Sequence, residues 1–337
     1  MRDINKLYQQ LLEPSDDLIS EMATLDGDIL ILGVGGKMGP DLARLAKHAL
    51  DKAGVRRKVI GVSRFSEAGL QNELEKEGIE TYNADLLKDD QLQALPEAQN
   101  VIYLAGTKFG TSGKESFTWA MNSYLPGRVA EKYKDSRIVV FSTGNVYHLT
   151  PVVSGGATED YPPQPVGEYA QSCLGRERIF QYFSSVYDTP MLIFRLNYAN
   201  DVTYGVLLDI ALSVKDNKPI DLSMGHLNAM WQGDANERAL RSLIHCQAPP
   251  KILNIAGPIV SVRLVAEEFG KVFGKTPNFS GEEQSTALLS NAAESFRLFG
   301  YPKVSLKTMM DVLAEWINQG GKILNKPTHF QERKGQF

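Results

Sequence analysis

Cysteine is nearly absent from this chain of 337 residues: Cys173 and Cys246 form no CxxC pair, and the five histidines are scattered. A disulfide scaffold and a structural zinc site are both disfavoured, and no metal is expected. Surplus positive charge is missing too. Lys and Arg number 36 against 40 Asp and Glu, a formal charge of −4, so there is no summed positive field to hold nucleic acid. No apolar run approaches the ~20 residues a membrane span needs. The start, Met1 to Lys6, leads into Glu13, Asp16 and Asp17 without the apolar stretch of a secretory signal, so a cytoplasmic protein is expected. Solenoid repeats and low-complexity tracts are also lacking.

Apolar residues make up 43% of the chain and charged residues 23%, the composition of a globular fold. Residues 4–12 and 17–22 read as short helices around a turn at Pro14-Ser15, an N-terminal appendage covering 1–27. From Ile29 short apolar strands (29–32, 58–62, 80–83, 100–105, 137–141, 191–196) alternate with amphipathic helices (40–53, 70–77, 90–94, 117–133, 167–183). This is the pattern of an α/β fold, a Rossmann-like, doubly wound parallel sheet of about seven strands, here a dinucleotide-binding domain over 28–200. Residues 234–257, with a strand at 252–255, are expected to return to it. Residues 201–233 and 258–319 make a smaller C-terminal substrate-binding portion, and 320–337, with two glycines and Pro327, reads as a surface tail.

The run Ile29-Leu-Ile-Leu-Gly33-Val-Gly35-Gly36-Lys37-Met38-Gly39 puts a glycine-rich turn between an apolar strand and a helix. Gly33 permits the turn, Gly36 lets a pyrophosphate approach the backbone, and Gly39 brings helix and strand together. Lys37 and Met38 lie inside this turn, where the helix N-terminus meets the phosphates. The second strand ends at Ser63-Arg64, where an acidic residue would take a ribose diol. Arg64 pairing with a 2′-phosphate, and Ser63 hydrogen-bonding it, favours NADP over its alternative NAD; the other reading has Arg64 stacked on adenine or solvated. Asp85, with Leu86 beside it, is either an acceptor for the adenine amino group or a helix N-cap.

Further pieces follow in order: Val101-Ile-Tyr-Leu-Ala105-Gly106, Asn122, Phe141-Ser-Thr143-Gly-Asn-Val-Tyr147, Tyr169 with Glu177, Arg195-Leu-Asn197, Gln232-Gly-Asp234 and Leu253-Asn-Ile255. Together with the glycine turn they resemble the extended short-chain dehydrogenase/reductase family, in its NAD-dependent epimerase/dehydratase branch, over roughly residues 28–317. The resemblance implies a dinucleotide at the C-terminal edge of the sheet, commonly with a nucleotide-activated sugar facing its nicotinamide. Tyr169 would be the acid/base and a cofactor neighbour, with Thr143 positioning it. Ala105, Gly106 and Asn122 would line the cofactor path, and Asn197 would serve the substrate or cofactor side. The family also commonly pairs as a homodimer through the helices read here at 117–133 and 167–183.

One residue departs from that pattern. The family carries lysine four residues after the tyrosine, on the same helical face, and this chain has Cys173. In the family that lysine holds the nicotinamide ribose and favours the tyrosinate. A phenol with a pKa near 10 is only ~0.1% ionised at pH 7, so proton abstraction by Tyr169 is expected to be slow unless another cation replaces the amine, while reduction is less impaired. Lys108, at the sheet's C-terminal edge, is the better placed of the candidate replacements, the other reading being a solvated loop charge. Arg176 shares the face of Tyr169 but lies about two turns away, and Arg178 faces elsewhere. Cys173 itself reads as a small buried hydrophobe rather than a nucleophile.

Four residues remain as substrate-side candidates: Asn197, His148, His226 and Trp231. His148 is either a proton carrier or a surface histidine, and Trp231 either covers a ring or packs between the two portions. Residues 107–114 and 155–165 are expected to border the mouth. Two functions stay open: an epimerase/dehydratase or reductase acting on a sugar-like polyol or carbonyl, and a cofactor-binding member with little or no turnover.

Overall fold

Residues 4–108 and 113–336 are described in the computed structural model, so residues 109–112 of the expected mouth loop lie outside it. Seven strands, β1 (Ile29–Leu32), β2 (Val59–Ser63), β3 (Glu80–Asn83), β4 (Asn100–Tyr103), β5 (Arg137–Thr143), β6 (Met191–Leu196) and β7 (Lys251–Ile255), form one sheet in the order β7-β6-β5-β4-β1-β2-β3. Every pairing is parallel. The chain begins in the middle, builds outward to β3, then crosses back to β4. That reversal leaves a crevice between the C-terminal ends of β1 and β4, the usual ligand position in an open α/β sheet.

Side-chain alternation along β1 feeds two separate layers. Ile29 and Ile31 pack with Leu42, Ala46 and Leu50 of the helix Gly39–Lys52, while Leu30 and Leu32 face Tyr103, Val129, Tyr133 and Phe180. The expected helix at 117–133 is interrupted. Helix Glu115–Trp119 passes through a π-helical turn, Ala120–Tyr124, into helix Leu125–Lys132. Pro126 has no N–H to offer, and the Leu125 N–H bonds back to the Ala120 carbonyl, so the ladder slips by one residue.

A second core joins the helices Val206–Lys215, Val262–Phe273 and Leu306–Asn318. The N-terminal helices tie it to the sheet domain. Tyr8 meets Trp231 edge-on and donates to Asp201, while Ser15 caps Asp16–Thr24 and donates to Glu237. The final segment differs from a loose surface tail. Thr328 and Phe330 are buried, and the Thr328 N–H and hydroxyl both donate to Asp209, at 2.7 and 2.6 Å. Arg333 is anchored further along by Ser223 and Thr286. Among the described residues no helix is long and apolar enough to cross a membrane, and no group of three His, Cys, Asp or Glu is arranged to hold a metal.

Candidate active site

A cavity of about 360 Å³ opens where the strand order reverses. Its walls bring together Gly33, Gly36, Lys37, Met38 and Gly39 from the turn after β1, Gly106 and Lys108 after β4, Thr143 at the end of β5, Tyr169, and Asn197 after β6. The turn itself is sterically committed to glycine. At Gly33, with φ +96°, a Cβ would stand 2.8 Å from the Ala105 nitrogen, and at Gly39 it would stand 2.3 Å from the Val34 carbonyl oxygen. Helix and strand therefore close to backbone contact, leaving Gly36 exposed at the rim.

Tyr169 sits in the first turn of the helix Gly167–Tyr187, and its phenol lies between two partners. The Thr143 hydroxyl donates to the phenol oxygen, and the phenol donates to the Cys173 sulfur. Thr143 is fixed in turn by accepting from the backbone and side-chain nitrogens of Asn145, at 3.1 and 3.0 Å. Burial, with the Cys173 sulfur behind it, holds the phenol far above its ordinary value, against the opposing pull of Arg176 and Thr143. Burial likewise raises the Cys173 thiol, opposed chiefly by the Arg176 charge. At neutral pH this is a neutral phenol and a neutral thiol, arranged to donate a proton rather than to take one.

Three cations border the cavity. Lys37 stands over the Tyr204 ring, 3.2 Å from its centroid, and is lowered to about 7 by burial and then by the charges of Lys108 and Lys326. Lys108 is 5.8 Å from the Tyr169 ring centroid and is lowered by burial to about 8. Arg176 is buried and donates to the Phe141 carbonyl and to Asn122. Asn122, fully buried in the π-helical turn, also accepts from the Thr107 N–H and donates to the Thr107 carbonyl and Ser172. It braces the wall from behind. Asn197 donates to Asn228, Leu288 and Ser290, which joins the exit of β6 to the C-terminal portion.

The remaining candidates fall away from the walls. Ser63 accepts from the Phe65 N–H and fills the space beside Gly35, while Arg64 is exposed. Asp85 accepts from the Leu87 N–H in a local turn rather than as a helix cap, since the helix Asp89–Gln93 starts after Lys88, and Leu86 joins the core. Ala105 is buried against Gly33. His148 is an exposed loop residue whose Nδ1 meets the Leu149 carbonyl, and His226 lies in a short strand paired with Ser261. Trp231 is 2% exposed in the second core beneath Tyr8, so packing prevails over ring covering.

The sequence pattern of the NAD dependent epimerase/dehydratase family matches residues 29–199, just over half of the chain. The chain belongs to that family. No curated protein matches it in sequence. Among solved structures of the family's fold, a UDP-glucose 4-epimerase from Thermotoga maritima with UDP-glucose shares 16% identity at a TM-score of 0.71, covering 87% of this chain and 99% of its own. A UDP-glucuronic acid 4-epimerase from Bacillus cereus, with UDP-glucuronic acid and NAD, shares 19% at a TM-score of 0.71 with the same coverage. A UDP-glucose 4-epimerase from Thermus thermophilus, with NAD, shares 18% at 0.69, covering 86% and 99%.

These relatives correct the expectation of NADP. Where they hold a dinucleotide it is NAD, and in this chain the supposed 2′-phosphate pair is not assembled: Ser63 accepts from the Phe65 N–H in its own turn, and Arg64 is exposed and does not line the cavity. Sequence reasoning also passed over several family-member wall residues, among them Asn145, Tyr198, Tyr204 and Thr328. Asn145 was within reach of inference, two residues past Thr143. Thr328 carried no signal, because its place depends on a bond to Asp209 across 119 residues.

Proposed function

We propose that this family member binds NAD and acts on a nucleotide-activated sugar as an epimerase/dehydratase-type oxidoreductase, with Tyr169 as its proton-transfer residue. The observation that carries the reading is the single cavity joining the glycine turn to the Thr143–Tyr169 pair. The residues present fit a dinucleotide: Gly33, Gly36 and Gly39 keep a cradle open that side chains would fill, and Lys37 in the same turn suits its diphosphate oxygens. When bound, NAD supplies a hydride acceptor, and its reduced form a donor.

This chain's own groups do the rest. Thr143 orients the phenol, Asn145 locks Thr143, and Asn197 offers a polar edge toward the substrate side. The neutral phenol hands its proton to a developing alkoxide, so reduction of a carbonyl is the favoured direction and alcohol oxidation the slow one. Lys108, on the ring face of Tyr169, adds positive charge beside the substrate. A second reading, a cofactor-holding protein with little turnover, is favoured by one observation: Cys173 occupies the helical position of the family's lysine, fully buried.

Calorimetric titration with NAD, then turnover of UDP-glucose and UDP-glucuronic acid followed by chromatography, tests both. NAD is expected to bind, and Tyr169→Phe to lower turnover by ~100-fold or more. Absence of NAD binding sinks the proposal; binding without turnover of any sugar nucleotide leaves the second reading. We further propose a homodimer in a cytoplasmic setting. Phe117, Trp119, Tyr124, Tyr182 and Tyr187 stand exposed along the helices Glu115–Trp119, Leu125–Lys132 and Gly167–Tyr187 and the turn between the first two, an aromatic face suited to a second copy. Both cysteines are free thiols, compatible with a reducing compartment.

A further inference from the structure

Arg176 stands seven residues past Tyr169 and three past Cys173, on one face of the helix Gly167–Tyr187. Side chains on a helix lean toward its N-terminus, so a long one reaches back over the preceding turns. Arg176 does this. Its Nη2 lies 2.7 Å from the Asn122 Oδ1 and would be 2.4 Å from a Cβ on Gly106, and its Nη1 donates to the Phe141 carbonyl at 2.8 Å. The guanidinium thus sits under the cavity floor, between the exits of β4 and β5, and lines the cavity itself. Gly106 is what admits it there, because any side chain at 106 would occupy the guanidinium's place.

Two features mark the group as more than a brace. Its Nε is buried without a hydrogen-bond partner among the described residues, which a purely structural arginine in a well-packed wall would avoid. Its charge also acts on both Tyr169 and Cys173, and on Cys173 more strongly than Lys108 does.

We propose that Arg176 is the fixed positive charge of this cleft, reaching back along its helix to face Tyr169 and the nicotinamide half of a bound dinucleotide, so that position 173 is free to be a neutral thiol. The inference rests on the reading of the cavity as an NAD site. Gly106, Asn122 and Phe141 are then the elements that hold the guanidinium at that station, and Lys108 is left to the substrate side of the ring.

Calorimetry with two probes separates the cases. NAD spans the whole cleft, whereas AMP reports the adenosine half and the integrity of the glycine turn. Arg176→Met is expected to weaken NAD by ~10-fold or more while AMP stays within ~2-fold, the loss of a charged hydrogen-bonding group at one end only. Arg176→Lys should keep most of the NAD affinity, and Cys173→Lys combined with Arg176→Met should recover it by moving the cation one turn. Should Arg176→Met fail to fold, Arg176→Gln, which removes the charge but keeps an amide donor for Asn122 or Phe141, carries the same comparison of NAD with AMP. Unchanged NAD affinity in Arg176→Met, equal losses for NAD and AMP, or Arg176→Lys as weak as Arg176→Met would each overturn the proposal. A wild type that binds AMP but not NAD overturns the cavity reading, and this inference with it.

Discussion

Binding of NAD should draw a proton from solution, and Lys37 is the reason. This lysine lies in the glycine turn on the cavity wall, over the Tyr204 ring, with Lys108 and Lys326 adding repulsion and Asp209 a smaller attraction. Burial and those charges bring its ammonium down to about 7. At pH 7 it is then roughly half protonated, and a diphosphate beside it returns it toward its ordinary value. Uptake of about 0.5 proton per NAD follows at pH 7.

Calorimetry reads this directly. The observed enthalpy, plotted against the ionisation enthalpy of several buffers at pH 7, has a slope equal to the protons taken up. Uptake means that affinity rises as pH falls, by about tenfold between pH 8 and pH 6. Lys37→Met should cut the slope to near zero and flatten the pH dependence. A zero slope for the wild type, or a slope that survives in Lys37→Met, refutes the placement of a half-charged lysine against the phosphates.

Other predictions concern the frame around the cavity. Glu177 and Arg195 form a buried bidentate pair at 2.9 and 2.6 Å, joined by Ser142 and Tyr147; Glu177→Gln should cost about 3–5 kcal/mol in urea unfolding by leaving Arg195 unpaired, and a loss under 1 kcal/mol would count against the pair. Asp234 accepts from the Val304 N–H but is raised by burial from 3.8 to about 6. The folded chain therefore holds its proton more tightly than the unfolded one, so the associated stability is present below about pH 4 and lost as pH rises through 6. Asp234→Asn should accordingly stabilise the protein by about 1–2 kcal/mol at pH 8 and by little at pH 4; an equal gain at both would exclude titration as the cause. Light scattering at micromolar concentration should give twice the chain mass, and a monomer mass there removes the aromatic face as a self-association surface.

The sheet was legible because buried parallel strands appear as short apolar runs with glycine turns and amphipathic helices between them, and Ile29–Leu32 followed by Gly33 shows this at its clearest. Short pairings such as Thr150–Pro151 with Thr286–Ala287 were not, since two residues leave no period to read. The π-helical turn at Ala120–Tyr124 escaped for a related reason: Pro126 announces a local break, but not which way the ladder slips. Trp231 was placed near the cleft from its neighbours in sequence, whereas its burial depends on the helix Ile4–Leu11 arriving from the far end of the chain. Thr328 and Phe330 were read as solvent-facing for the same want of distant partners.

Cys173 shows where motif reading stops. Spacing along a helix locates the alpha carbons, and on that basis a missing amine at 173 is a missing charge, with Arg176 seemingly two turns too far. Charge acts from the end of the side chain, however, and an arginine spans more than one helical rise when it lies back along the axis. Whether it can lie there is decided by a glycine in the loop after β4, Gly106, and by acceptors on two further elements, Asn122 and Phe141. None of these is near 176 in sequence. A lost catalytic cation in one motif therefore argues for lost chemistry only after the space around the motif has been searched for another, and here the search ends on a guanidinium whose station is set by three separate parts of the fold.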